Sequence, residues 1–113
     1  MHEMSLAEGV LRIVEENARA GEYSRVLVVR LEIGALSSVE PESLRFCFDA
    51  VVRGTVAEGA RLEIIATEGR GYCLGCAAEV TVAARYDPCP RCGAYQVQVT
   101  GGDEMRVRDL EVE

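Results

Sequence analysis

The chain has 113 residues, enough for one domain or for a small domain with a module stitched into it. Apolar residues make up 49% and Trp is absent, so it reads as a globular protein with a core of Val, Leu, Ile and Ala. Nineteen acidic residues against twelve basic ones give a net charge of −7, which argues against sequence-independent nucleic-acid binding and against attraction to an anionic membrane.

The opening MHEMSLAEGV has no basic segment before a long apolar run, and no run is long enough to span a bilayer. The expectation is a cytoplasmic protein, where thiols stay reduced and spaced cysteines read as metal ligands or redox groups. Ser5 and Glu8 make a capping-box signature, and Leu6, Val10, Ile13, Val14 and Ala18 follow at helical spacing. A helix is expected over residues 6–20, with Gly21 closing it in a left-handed cap.

Residues 25–33 alternate Leu27, Val29, Leu31 and Ile33 with Val28, Arg30 and Glu32, the pattern of a strand with one buried face. Pro41 suits the first turn of a second helix, whose stripe is Leu44, Cys47, Phe48, Val51 and Val52. A strand at 61–68 follows. Residues 103–113 then read as a last strand with a phase slip near Arg108–Asp109, the sign of a bulge. Its apolar face needs a partner, so it should return to the first sheet. The expected fold is α+β: a small mixed sheet with two helices, residues 1–69 plus 101–113, and an inserted four-cysteine zinc-ribbon module over 70–100.

That module starts where the texture changes, at Gly69-Arg70-Gly71. Strand-like runs are read at Glu79–Ala83 and Tyr95–Thr100. The stretch is too poor in apolar residues to build a core and needs a staple. Cys73-x2-Cys76 and Cys89-x2-Cys92 supply one, because two such pairs can bring four thiolates to the corners of a tetrahedron around structural Zn(II). A redox pair or a rubredoxin-like iron site are the rival readings. Cys47, on the apolar stripe of the second helix, reads as a buried inert thiol. With His2 the only histidine, no Cys–His nucleophile is indicated and no enzyme is expected.

His2 has a second reading. The Met1 amine, the His2 imidazole and the backbone nitrogens of His2 and Glu3 could surround one ion, a set that suits square-planar Ni(II) or Cu(II). Against it stands a polar residue on a frayed terminus.

MHEMSL at the start, IGALSSVEPESLRFCFDAV, the two cysteine pairs and GGDEMRVRDLEVE at the end together resemble the HypA/HybF family, nickel metallochaperones for [NiFe] hydrogenase maturation. The resemblance implies Ni(II) as cargo at the amino terminus, with His2 as essential ligand and Met1 and Glu3 as further donors. It implies zinc held by Cys73, Cys76, Cys89 and Cys92, and an acidic residue near nickel at Glu40. The implied partners are the accessory GTPase HypB, docking on the first helix, the hydrogenase large-subunit precursor and, in some organisms, urease maturation proteins. Some relatives carry histidines beside the knuckles. Ala78 and Gly93 stand near those places here, so an exchange of Cys for His at zinc is not open to this chain. A zinc-ribbon adaptor without nickel transfer is the alternative function.

Overall fold

The computed structural model describes residues 2–113. Helix α1 runs His2–Gly21, starting earlier than the local signal at Ser5. Ser5 is an exposed residue inside the helix rather than its cap. The extension has a tertiary cause: Glu3, in the first turn, accepts a hydrogen bond from the Glu40 backbone N–H, 3.4 Å away. An acidic residue in that turn also complements the helix dipole. The buried stripe is Ala7, Val10, Val14 and Ala18, while Ile13 is largely exposed.

The other end of α1 also differs from expectation. Gly21 is the last helical residue, and Glu22 adopts the left-handed conformation, with φ 57°. The Tyr23 N–H then bonds back to the Ala18 carbonyl, the reach of a Schellman cap. A Cβ on Gly21 would lie 2.3 Å from Tyr23 Cε1, so the Tyr23 ring packs over the glycine and would have to shift for a larger residue.

Strand β1 is Val26–Gly34 and helix α2 is Pro41–Val51, both close to the expected ranges. The α2 cap is Glu40, whose carboxylate accepts from the Ser43 N–H at 2.7 Å, with Pro41 next in the first turn. Leu44, Cys47 and Phe48 bury its inner face, and α2 packs against α1. Strand β2 is Arg61–Thr67. Strands β3 (Gly69–Cys73), β4 (Ala78–Val82) and β5 (Val97–Gly101) precede the last strand, β6 (Met105–Val112).

The strands form two three-stranded sheets, ordered β2-β1-β6 and β4-β3-β5. The last strand does return to the first sheet. The expected slip is present in its burial: Arg108 and Asp109 are consecutive exposed residues between half-buried Val107 and Leu110. Strand β1 slips too, with Val28 and Val29 both buried and Leu27 exposed. Across the first sheet Arg30 reaches both neighbours of β1, bonding Glu63 on β2 and Asp109 and Glu111 on β6.

Strand β3 is absent from the sequence reading, yet it is the middle strand of the second sheet, antiparallel to both β4 and β5. Its two glycines hid it, because glycine lowers strand propensity. The structure explains Gly71: a Cβ there would sit 2.4 Å from Val97 Cγ1.

The chain separates into two compact units. One takes the described chain up to Leu31, then Val39–Ile64 and Val107–Glu113; the other takes Glu32–Ser38 and Ile65–Arg106. The first has an ordinary apolar core, with Phe48, Leu44 and Val14 fully buried. The core of the second consists of Leu36, Val80, Val82 and the sulfurs of Cys73 and Cys89, flanked by Cys76, Val97 and Val99. Among the described residues no helix is long and apolar enough to cross a membrane.

Candidate metal centres

The first cysteine pair sits on the turn that follows β3, the second in the loop between β4 and β5. Cys73 closes β3 and Cys76 follows three residues later, with Ala77 in the left-handed region at φ 52°. Cys89 and Cys92 lie in the loop before β5, where Gly93 adopts φ 77°. Antiparallel pairing of β3 with β5 brings the two turns together, and the Leu74 N–H bonds the Gln96 carbonyl across them.

All four sulfurs lie within 4.8 Å of one another. The Cys73–Cys92 and Cys76–Cys89 separations are 3.7 and 3.8 Å. A tetrahedral ion at a Zn–S distance of about 2.3 Å would set its sulfurs about 3.8 Å apart, so the arrangement fits zinc. It is a closed set: four sulfurs, with no position left for substrate.

The first cysteine of each pair accepts backbone hydrogen bonds. Cys73 Sγ receives the Cys76 N–H, and Cys89 Sγ receives the Arg91 N–H, each at 3.4 Å. Backbone N–H groups of Cys92 and Arg91 pull the Cys89 thiol down to about 6, although burial opposes them. Cys76 moves the other way, pushed up to about 12 by the neighbouring Cys92 thiol, by burial, and by Cys89 and Cys73. Four thiols this close cannot all ionise without a cation among them, which is what a zinc ion supplies.

The amino-terminal residues make a looser cluster. His2 opens α1 with its side chain 58% exposed. Its Nδ1 lies 3.5 Å from Glu3 Oε2, the same oxygen that accepts the Glu40 N–H. The Glu3 carboxyl is held below the ordinary carboxylate range, chiefly by that Glu40 N–H, then by its own backbone N–H and by His2. The structure therefore brings together His2, Glu3 and Glu40, three of the residues singled out in the sequence. Met1, the fourth residue of that set, lies outside the described residues.

Glu40 was singled out through the resemblance alone. Its cap geometry has a local signal, an acidic residue before Pro41 with Ser43 three positions on, that could have assigned its side chain to α2. Cys47 is 3% exposed, as the helical stripe requires. Leu36 escaped the sequence reading as a core residue of the cysteine-bearing unit, since nothing local connects it to cysteines nearly 40 residues away.

These features define a small α+β protein with a closed four-thiol centre and an exposed histidine–carboxylate cluster on a helix start. A family model described as "Hydrogenase/urease nickel incorporation, metallochaperone, hypA" matches residues 1–112. The chain is 61% identical over 113 residues to the hydrogenase maturation factor HypA of Azotobacter chroococcum mcd 1, covering 100% of both chains. It is 58% identical, with the same coverage, to that of Azotobacter vinelandii. The fold is similar to a solution structure of the Ni metallochaperone HypA from Helicobacter pylori, with TM-score 0.70 at 25% identity, covering 97% of this chain and 96% of the other. A second HypA solution structure gives TM-score 0.73 at 27% identity, covering 100% and 97%. The chain belongs to the HypA family of metallochaperones for nickel incorporation.

Proposed function

We propose that this protein binds Ni(II) at its amino terminus and delivers it for maturation of [NiFe] hydrogenase. The nickel donors in this reading are the Met1 amine, the His2 imidazole and the backbone nitrogens of His2 and Glu3, with the Glu3 carboxylate assisting. Cys73, Cys76, Cys89 and Cys92 hold a structural Zn(II). The protein acts as a carrier and not as an enzyme, in the cytoplasm. It hands its cargo on with the GTPase HypB to the hydrogenase large-subunit precursor, with urease maturation proteins as a second set of partners. It needs no nucleic acid. Residues 1–69 with 101–113 serve as the nickel-binding domain, and 70–100 as the zinc module.

The observation that carries this reading is the placement of His2 and Glu3 in the first turn of α1, tied through the Glu3 carboxylate to the start of α2. First-turn amides have no partner within the helix, so a metal can use them without unravelling it. An exposed imidazole also suits a cargo that must leave again. The amine must shed a proton, from a reference value of about 7.7–8.0, so binding weakens in acid.

The test is a Ni²⁺ titration of zinc-loaded, untagged protein. It runs beside His2→Ala and beside a copy with one extra residue before Met1. One nickel bound by the native protein and strong weakening in both variants is the expected result. Equal binding by all three, or binding by none, removes the nickel reading. The adaptor alternative would then stand, and one observation speaks for it: Tyr86 and Tyr95 are 91% and 79% exposed on the cysteine-bearing unit, beside Val97 and Val99. An adaptor would keep its function in His2→Ala and lose it on replacement of these tyrosines.

A further inference from the structure

The four cysteines are alike in sequence and unlike in surroundings. Cys73 and Cys89 are 0% and 2% exposed, and both sulfurs accept backbone N–H groups. Among the described residues no backbone N–H reaches the sulfur of Cys76 or Cys92. Of those two, Cys76 is half-buried and Cys92 is exposed. The chain beside Cys92 is open as well: a Cβ on Gly93 would meet nothing within 4 Å.

When zinc holds all four sulfurs as thiolates, proton loss no longer ranks their reactivity. Access and residual basicity do. An amide donor that lowers a thiol's pKa also lowers the nucleophilicity of its thiolate. Susceptibility to oxidation then follows exposure and thiolate character. The amide criterion leaves Cys76 and Cys92, and exposure selects Cys92 between them.

We propose that Cys92 is a modification site, the thiolate through which hydroperoxides and soft electrophiles reach the zinc centre. With a hydroperoxide, the Cys92 sulfur attacks one peroxide oxygen. The O–O bond breaks, the sulfur is oxidised to a sulfenic acid, and the other oxygen takes a proton from solvent and leaves as water from hydrogen peroxide or as the alcohol from an organic hydroperoxide. The Cys73 thiolate, 3.7 Å away, then attacks the oxidised sulfur. The S–S bond forms, the S–O bond breaks, and the departing hydroxide takes a second solvent proton. Two thiolates remain, half of the donor set, so the zinc is lost. With N-ethylmaleimide the Cys92 sulfur adds to the ring double bond, and solvent supplies the proton to the adjacent carbon. The resulting thioether carries no charge for the metal.

The inference rests on the zinc reading of this centre, and zinc content measured before any reagent is added keeps the two separable. Zinc-loaded protein is treated briefly with limiting N-ethylmaleimide beside a chromogenic zinc chelator, then mapped by peptide mass spectrometry. The expected first adduct is on Cys92, with one zinc released per adduct and no label on Cys47, which is buried. Hydrogen peroxide should give a cross-linked peptide joining Cys73 to Cys92. A first adduct on Cys76 or Cys89, or a disulfide joining Cys89 to Cys92, overturns the proposal while leaving the zinc reading intact. A protein that takes up no zinc overturns both.

Discussion

The two compact units are held together by different chemistry. One surrounds Phe48, Leu44, Val14 and the buried face of β1 with hydrocarbon. The other has Ile33, Leu36, Val80 and Val82 as its buried aliphatic side chains beyond small ones, and packs the buried sulfurs of Cys73 and Cys89 among the last three. A core of that size cannot offset the entropy of ordering its chain, so metal ligation must make up the difference. The contrast extends to the two candidate metal sites. The thiols form a closed cage whose loss should unfold what surrounds it. The His2–Glu3 cluster sits on the surface of a unit already held by apolar packing, so it can gain or lose an ion without refolding. Permanent and transferable metals call for those two settings.

Removing zinc should have the largest effect and should strike one unit only. In zinc-finger peptides the metal contributes an apparent ~10–16 kcal/mol at neutral pH. A strong chelator is expected to abolish the dispersed amide signals of the β3–β5 sheet while α1 and α2 keep their far-ultraviolet signal. Loss of both together would show that the units are not independent.

Phe48→Ala is the converse. It opens a cavity in the hydrocarbon core and should cost about 3–5 kcal/mol of helix-unit stability in urea unfolding. The zinc content of the folded protein should stay at the native value. Zinc loss in step with the helices would break the comparison.

Glu40→Ala is smaller and more diagnostic. It deletes the α2 cap, worth about 1 kcal/mol. Yet Glu3 is held by the Glu40 backbone N–H, which the substitution leaves in place. Nickel affinity by calorimetry should therefore change far less than in His2→Ala. A loss as large as that of His2→Ala would make the Glu40 carboxylate itself a nickel donor.

The smallest effect concerns acid. The Glu63 carboxyl is held below its ordinary value, first by Arg30 and further by Arg61, against some desolvation. A carboxyl with a lowered folded-state pKa stabilises above its unfolded value, and that contribution disappears as pH falls through the lowered one. Native protein should thus lose a little stability below the usual glutamate range. In Arg30→Met, Glu63, Asp109 and Glu111 lose their shared cation. Urea unfolding from pH 7 to pH 4 should then show the variant losing less than the native protein, because protonation relieves the repulsion.

Features encoded locally were legible in the chain. The 3.6-residue stripes marked α1 and α2, alternation marked β1, the run at 61–68 was read as a strand, and the phase slip in β6 was visible at Arg108–Asp109 before its partner strand was known. The paired C-x2-C turns identified all four thiols that converge, because knuckle spacing presets the sulfur positions. Contacts between residues distant in sequence were decided only by the tertiary structure. Glu3 meets Glu40 across 37 positions, and that contact starts α1 ahead of its local cap signal. Leu36 reaches the cysteines, and Gly71 lies in a central strand because Val97 stands where a side chain would go. The same holds for the ranking of the thiols. Spacing makes Cys73, Cys76, Cys89 and Cys92 equivalent, and only burial and amide donation, which depend on how the strands pair, leave Cys92 the exposed one.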